Sequence, residues 1–387
     1  MLLANPPVNM SASSGQPELL NFDGRQSRYV YEQGSFVFAV IESGVIASGD
    51  GGTTWLLKDG RFGTADLGIQ RIFCTRVGNV LHIATIYDFP WKCTVYQFSL
   101  TSKTYIDTSA ELTQTSSVYY GFGLANADGD FYLVTGDDTD SLTAIPLVYF
   151  VLSSGTWSAS NTLDATAFAS AQIRYGAGMI DSNGDVHAFY TTFPDFAGFT
   201  GPDTTLKHVK LPSGTPDTIL TVDPMDTSTS YDLYDAMAWD GATYLAYTFG
   251  QFDQYVLVSD SDTAPTTWTP TLIANGGAAT PNDGKFIPHV ASSTLYLFYE
   301  LLGTANQIYY NAFAAATWGI QILVYDLPLN PTSGTVTNIL GHQPIRLASG
   351  DFAAAIDAFD DSGPAVWWLS MGTGPPPPTG RVLNFQY

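Results

Sequence analysis

The chain has 387 residues, of which 45% are hydrophobic and 14% aromatic, and its 36 acidic residues against 14 basic ones leave a net charge of −22. Charged residues make up only 13%, about half the usual share, so the polar surface must come from Thr, Ser, Asn and Gly, a composition of strands and turns rather than of charged amphipathic helices. The acidity opposes nucleic acid, whose binding depends on basic contacts to phosphate, and anionic membrane surfaces; no stretch approaches the roughly eighteen apolar residues of a membrane span.

The segment from Met1 to Pro7 carries neither a basic region nor a long apolar stretch, so no secretory signal is expected there. An extracellular setting would then need another exit, such as release in a virus particle; a cytoplasmic setting stays open. Residues 1–16 read as an N-terminal extension.

From Gly34 onward one pattern recurs: a small turn residue followed by about six apolar and aromatic residues. Its instances begin at Gly34, Gly78, Gly129, Gly184, Gly241, Ser293 and Gly350, at successive spacings of 44, 51, 55, 57, 52 and 57 residues. That is the period of a propeller blade. Before several of these turns an apolar pair runs into an Asp/Asn-Gly hairpin signal, as at Asn126–Gly129 and Asp181–Gly184, because Asn, Asp and Gly tolerate positive φ. Each repeat therefore reads as strand, tight turn, strand. The near-continuous apolar second strand fits a sheet covered on both faces by neighbouring blades. A third and a fourth strand follow, with a tryptophan near the turn between them: Trp55, Trp157, Trp268 and Trp318.

The expected fold is all-β, a single seven-bladed β-propeller of four-stranded antiparallel blades over 17–373; six blades plus an irregular first segment is the alternative. The blades fall near 23–60, 69–108, 117–160, 171–221, 231–274, 285–326 and 336–373. Residues 374–387 form a Pro-rich connector and closing strand: Gly374–Thr379 is a stiff polyproline spacer, and Pro17–Phe22 and Arg381–Tyr387 are the candidate strands for closing the ring. Cys74 and Cys93 fall on the first and third strands of one blade, roughly 9–10 Å apart, beyond the ~7 Å Cα separation a disulfide allows; two free thiols are expected.

Ser48, Asp50, Gly52, Thr54 and Trp55 match Ser-x-Asp-x-Gly-x-Thr-Trp at every fixed position. This stretch resembles the Asp box of sialidases and related propellers. Its Asp is expected to accept backbone N–H bonds in the turn, its Gly to take a conformation other residues avoid, and its Trp to pack under the turn. Ser153–Trp157 lacks the Asp, the stretch from Ser259 through Asp262 to Trp268 carries an insertion, and Ala315–Trp318 keeps only the end. The resemblance implies a structural box away from any catalytic face.

The same resemblance implies a site of three arginines gripping a carboxylate, a Tyr–Glu nucleophile pair and an Asp acid/base. Arg suits that grip because its fork matches a carboxylate. Arg28, Arg174 and Arg346 are the best triad, and Glu300 with Tyr309 the best pair, but no Arg-Ile-Pro motif occurs near the start and the charge opposes an anionic substrate. A neutral-sugar glycosidase would need two carboxylates about 5–10 Å apart, which sequence cannot place.

His82 and His187 hold matching second-strand positions, expected to line or support the central channel. No zinc spacing or Gly-x-Ser-x-Gly elbow occurs. No cofactor is implied; a calcium ion on Asp137, Asp138 and Asp140 in a 136–140 loop is the one metal candidate, since the Asp181–Asp185 hairpin turn has the wrong Gly position for an EF-hand. Three aromatic loops remain: Tyr87, Phe89 and Trp91; Phe193, Phe196 and Phe199; Phe249 and Phe252. All follow second strands, so they should open on one face, where rings stack on sugars or bury in an interface.

The reading that follows is a non-catalytic binding or assembly propeller, such as a bacteriophage virion structural or host-adsorption protein, with other structural proteins or surface glycans as partners, and without nucleic-acid binding or membrane insertion. The alternatives are a sialidase-like glycoside hydrolase and a secreted lectin.

Overall fold

A computed structural model describes residues 8–10, 29–41, 44–59, 69–88, 91–113, 117–138, 147–164, 176–192, 205–212, 214–221, 231–249, 253–275, 280–302, 307–326, 338–360 and 363–372. They form seven antiparallel sheets in a seven-bladed propeller. Blade 1 holds Val30–Gln33, Phe36–Ile41, Gly44–Ser48 and Leu56–Asp59; blade 4 holds Gly176–Ile180, Val186–Thr192, Thr205–Lys210 and Asp217–Thr221; blade 5 holds Tyr231–Trp239, Ala242–Phe249, Asp253–Ser259 and Trp268–Asn275. In blades 2, 3 and 6 the fourth strand is split into two short pieces that both pair with the third.

The repeat seen in the sequence is the hairpin between first and second strands. All seven turn residues have positive φ, from 48° at Ser293 to 90° at Gly350. Glycine meets that demand without a Cβ penalty. The exception, Ser293, closes a 3-10 turn, Val290–Ser292.

The first strands contact one another around the axis. The remaining strands present alternate side chains to the two adjacent blades. In blade 6, Tyr296, Phe298, Ile308 and Tyr310 pack on Phe352, Ile356 and Trp367 of blade 7, while Leu295, Leu297 and Tyr299 pack on Tyr244, Ala246 and Val256 of blade 5. Blade 1 joins blade 2 and blade 7 in one buried cluster that includes Phe38, Phe98 and Trp368. Tyr29 and Tyr31 of blade 1 donate to the carbonyls of Ile72 and Cys74 in blade 2, at 2.6 and 3.2 Å.

The N-terminal segment contributes to ring closure. Val8–Asn9 is the outer strand of blade 7, Val8 opposite Trp368 and Asn9 opposite Trp367, so part of the 1–16 segment belongs to the propeller. Pro17–Phe22 and Arg381–Tyr387 lie outside the described residues. Cys74 and Cys93 are buried free thiols, as expected.

The 48–55 turn is held as its residues suggest. Asp50 accepts the N–H groups of Thr53 and Thr54 at 3.1 and 2.9 Å and the Thr54 hydroxyl at 2.7 Å. These bonds, the Thr54 N–H first, hold its carboxyl at about 2. Ser48 Oγ donates to Asp50 at 2.7 Å and accepts from Gly52 N at 2.8 Å. Trp55 is fully buried, donates to Gly52 O at 3.0 Å and meets Trp368 of blade 7 edge-on at 5.3 Å. In the inserted version of blade 5 the acceptor is Asp260, which takes Thr266 N at 2.8 Å, Thr267 N at 3.1 Å and the Thr266 hydroxyl. Asp262 is free of that task and instead accepts Ser182 N of blade 4 at 3.0 Å.

Gly51 and Gly52 both have positive φ, but a Cβ on Gly51 meets nothing within 4 Å, whereas one on Gly52 would sit 1.9 Å from Trp368 Nε1. Gly51→Ala should therefore cost about 1 kcal/mol. Gly52→Ala should cost about 3 kcal/mol or more, because it also pushes blade 1 from blade 7. Urea titration of both variants checks this; equal losses would contradict the packing account.

Candidate functional site

The first strands of successive blades leave a cavity of about 390 Å³ on the axis. Its position follows from the lining: Arg76, Leu124, Ile180 and Trp239 are the last or next-to-last residues of their strands, and Val290 follows directly on Thr280–His289. The cavity thus sits at the end of the propeller where first strands turn into second strands. Val290 is 79% exposed there. Close approach of blades 3 and 4 shapes one wall, since a Cβ on Gly178 would sit 2.2 Å from Phe122 and 2.3 Å from Leu124.

The walls are apolar for the most part, with Met179, Met237 and Trp239 beside Phe122 and Leu124. Two charged residues join them. Arg76 donates to Gly78 O at 2.7 Å, Glu32 O at 2.8 Å and Gln33 Oε1 at 2.5 Å, so its guanidinium ties blade 2 to blade 1. Asp235 is 4% exposed and accepts Phe286 N of blade 6 at 2.8 Å. It follows a register shift between Leu233 and Asp235, a bulge of the kind that re-aims a side chain. Asp235 is the one carboxylate among the described residues that line the cavity.

The expected Glu300–Tyr309 pair does not form. In the register of blade 6, Glu300 lies opposite Ile308, and Tyr309 opposite Tyr299. Neighbours on a strand face opposite ways, so Glu300 points toward blade 7 and Tyr309 toward blade 5. Glu300 is fully buried, with Oε1 3.0 Å from Nδ1 of the equally buried His342. Tyr309 stacks on Tyr299 and donates to Gln307. Sequence inspection missed His342 as a partner because nothing in its spacing relates it to Glu300; the pairing is made between blades.

Arg346, the last residue of Asn338–Arg346, precedes the second strand of blade 7, lies opposite Phe352 and places its guanidinium 5.5 Å from that ring. His342 precedes it by four residues, about 13 Å along a strand, so Arg346 and Glu300 occupy different levels of the ring. Arg28 and Arg174 lie outside the described residues, and no three-arginine grip is assembled among the described ones.

The first and third of the aromatic loops are shorter than expected. Asp88 pairs with Trp91 and Phe249 with Asp253, so Tyr87, Trp91 and Phe249 belong to strands that continue into tight hairpins. Phe89, Phe193, Phe196, Phe199 and Phe252 lie outside the described residues. These hairpins join second to third strands, at the opposite end of the propeller from the axial cavity.

The 136–140 segment is likewise not a loop over its described part. Asp137 and Asp138 lie in the strand Phe131–Asp138, opposite Val118 and Ser117; Asp140 lies outside the described residues. No metal-binding group of three acids, histidines or cysteines occurs among the described residues. His82 and His187 are buried on second strands behind the channel wall, not in the cavity lining.

No family model matches the sequence, and no curated protein does. The fold is similar to solved structures at low identity. A prolyl endopeptidase is 14% identical with a TM-score of 0.50, over 92% of this chain and 50% of that one. The α-L-arabinanase of Penicillium chrysogenum complexed with arabinobiose is 14% identical at TM-score 0.47, over 80% and 98%. The GH93 α-L-arabinofuranosidase of Fusarium graminearum with arabinobiose is 12% identical at TM-score 0.47, over 83% and 98%. At these identities the likeness is one of fold.

The two halves of the expected glycosidase pair should respond differently. Glu300→Ala leaves a buried His342 without its carboxylate and should cost about 3 kcal/mol or more. Tyr309→Phe removes one half-buried hydroxyl and should cost about 1 kcal/mol. Chemical denaturation of both variants measures the contrast.

Proposed function

We propose that this propeller binds a carbohydrate without cleaving it, and that a sugar ring enters the axial cavity beside Trp239. The observation that supports this is the composition of the wall: an indole at the end of its strand, aliphatic surface below it, and a single carboxylate, Asp235. Sugar C–H faces stack on aromatic rings and a buried carboxylate fixes orientation. Hydrolysis by the usual route asks for two carboxylates about 5–10 Å apart. The cavity lies at the small end of ligand pockets, which run from about 300 to 1,000 Å³, so it suits one or two sugar residues rather than a long chain. In a virion setting the same site would serve adsorption to a surface glycan.

A second reading is a glycoside hydrolase, favoured by the buried Glu300–His342 pair between blades 6 and 7, because ionisable pairs out of water cluster at functional sites.

The test is a broad glycan array on the purified chain, reading both retention and released product. Retention without release is expected, and Trp239→Ala should weaken it at least tenfold, the loss of about 1.4 kcal/mol. Release of sugar that stops in Glu300→Gln would establish the second reading instead. The absence of both retention and release would overturn carbohydrate recognition.

A further inference from the structure

A chain of buried titratable groups crosses blade 4, starting one residue beyond Ile180 of the cavity wall. Asp181, in the turn after the first strand, accepts Asn183 N and Asp185 N on Oδ1, each at 2.9 Å. Its other oxygen, Oδ2, meets Lys210 Nζ at 2.9 Å and His187 Nε2 at 3.1 Å. His187 Nδ1 lies 2.8 Å from His208 Nε2, and the two rings stack at 5.0 Å. Asp181, His187 and His208 are 5%, 0% and 4% exposed. Blade 3 carries Asn126 at the matching place, where it caps its turn by accepting Asp128 N and Asp130 N. A turn cap explains Asp181 Oδ1 but not the imidazole and ammonium on Oδ2.

The end of this chain is the joint to blade 5. The His208 ring lies 5.6 Å from that of Trp268, which also packs edge-on against Phe189 at 5.8 Å. Lys210 Nζ donates to Thr263 O at 3.2 Å, and Asp262 accepts Ser182 N at 3.0 Å. The turn of blade 5 between Asp260 and Trp268 is therefore seated on the imidazole chain and its neighbours.

A carboxylate only accepts, so His187 presents Nε2–H to Asp181. With both rings neutral, as their burial favours, Nδ1 of His187 accepts from Nε2–H of His208. A proton added to His187 Nδ1 then faces the His208 N–H head-on unless His208 moves its own proton to Nδ1. The other charged groups nearby are Asp185 and Lys210, 2.7 Å apart, Asp217 opposite His208 in register, Asp260 and Asp262 on the blade 5 turn, and Asp128 and Asp130 on the blade 3 turn that reaches Gly184.

We propose that the joint between blades 4 and 5 is an acid-opened latch: the neutral Asp181–His187–His208 chain holds the 260–268 turn of blade 5 on blade 4, and protonation of the imidazoles releases it. Burial lowers the affinity of both rings for protons, that of His208 down to about 3, with the charge of a protonated His187 as the next contribution. Released rings regain the ordinary value of 6.5. The open joint therefore takes up protons as pH falls below 6.5 while the closed one does not, and closure is fully favoured only above that pH.

Site-resolved hydrogen exchange tests the latch. Between pH 7.5 and 5, corrected for intrinsic rates, exchange at Ser182 and across 260–268 should rise at least tenfold, while the second strands of blades 1 and 7 stay protected. His208→Phe keeps a ring against Trp268 but cannot charge, and should flatten that response. An undiminished rise in His208→Phe, a rise shared by all seven blades, or no rise would each overturn the proposal. Nitrogen NMR of the wild-type imidazoles reads the same point without a variant: neutral rings with Nε2–H at pH 6.5 are expected, and charged rings at that pH would overturn it.

Discussion

Everything in this molecule depends on burying both faces of each sheet against its neighbours. A four-stranded sheet whose second strand is apolar at nearly every position has no stable face to show to water. Blade 6 makes the point: Phe298 and Tyr299 are adjacent and both buried, one against blade 7 and the other against blade 5. Such a sheet is satisfied only inside a closed ring. The ring in turn needs its first and last blades to meet. The joint is made by the core shared by Phe38 and Trp368, by the Trp55–Trp368 contact, and by Val8–Asn9 as the outer strand of blade 7.

Closure then dictates where function can reside. With the sheet faces used up in packing, what remains is the axis, the turns at both ends and the outer rim. The axis is lined by first strands, several of which carry a register shift near the start, as between Leu233 and Asp235 or Asn282 and Lys285. These irregularities bend the strand and re-aim side chains such as Asp235. Polar groups inside the ring are tolerated where another blade answers them, as His342 answers Glu300 and Phe286 N answers Asp235. Titratable groups at the joint of blades 4 and 5 show the same rule, as Asp262 answers Ser182 N and Thr263 O answers Lys210.

The tryptophans near the outer turns serve the same end. Trp55 reaches blade 7, Trp157 donates to Ala110 O of blade 2 at 2.9 Å, and Trp268 lies on Phe189 and His208 of blade 4. In each case the indole touches the preceding blade. The turn that carries it is stiffened locally, by Asp50 in blade 1 and by Asp260 in blade 5.

The sequence by itself determined the blade number, the position of every inner hairpin and the Asp50 turn. These are local features: a left-handed turn selects Gly at a fixed distance from an apolar strand, and a carboxylate bonds amides three and four residues on. What only the tertiary structure decided was every relation between blades. Glu300 and Tyr309 looked like a pair because both follow a second strand in the same repeat, yet the strand alternation sends them to different neighbours. His342, His208 and Asp262 gave no signal, since their partners lie in other blades or across a strand pairing. Val8–Asn9 gave no signal as an outer strand for a similar reason: two residues carry no period, and their partners Trp367 and Trp368 lie near the other end of the chain.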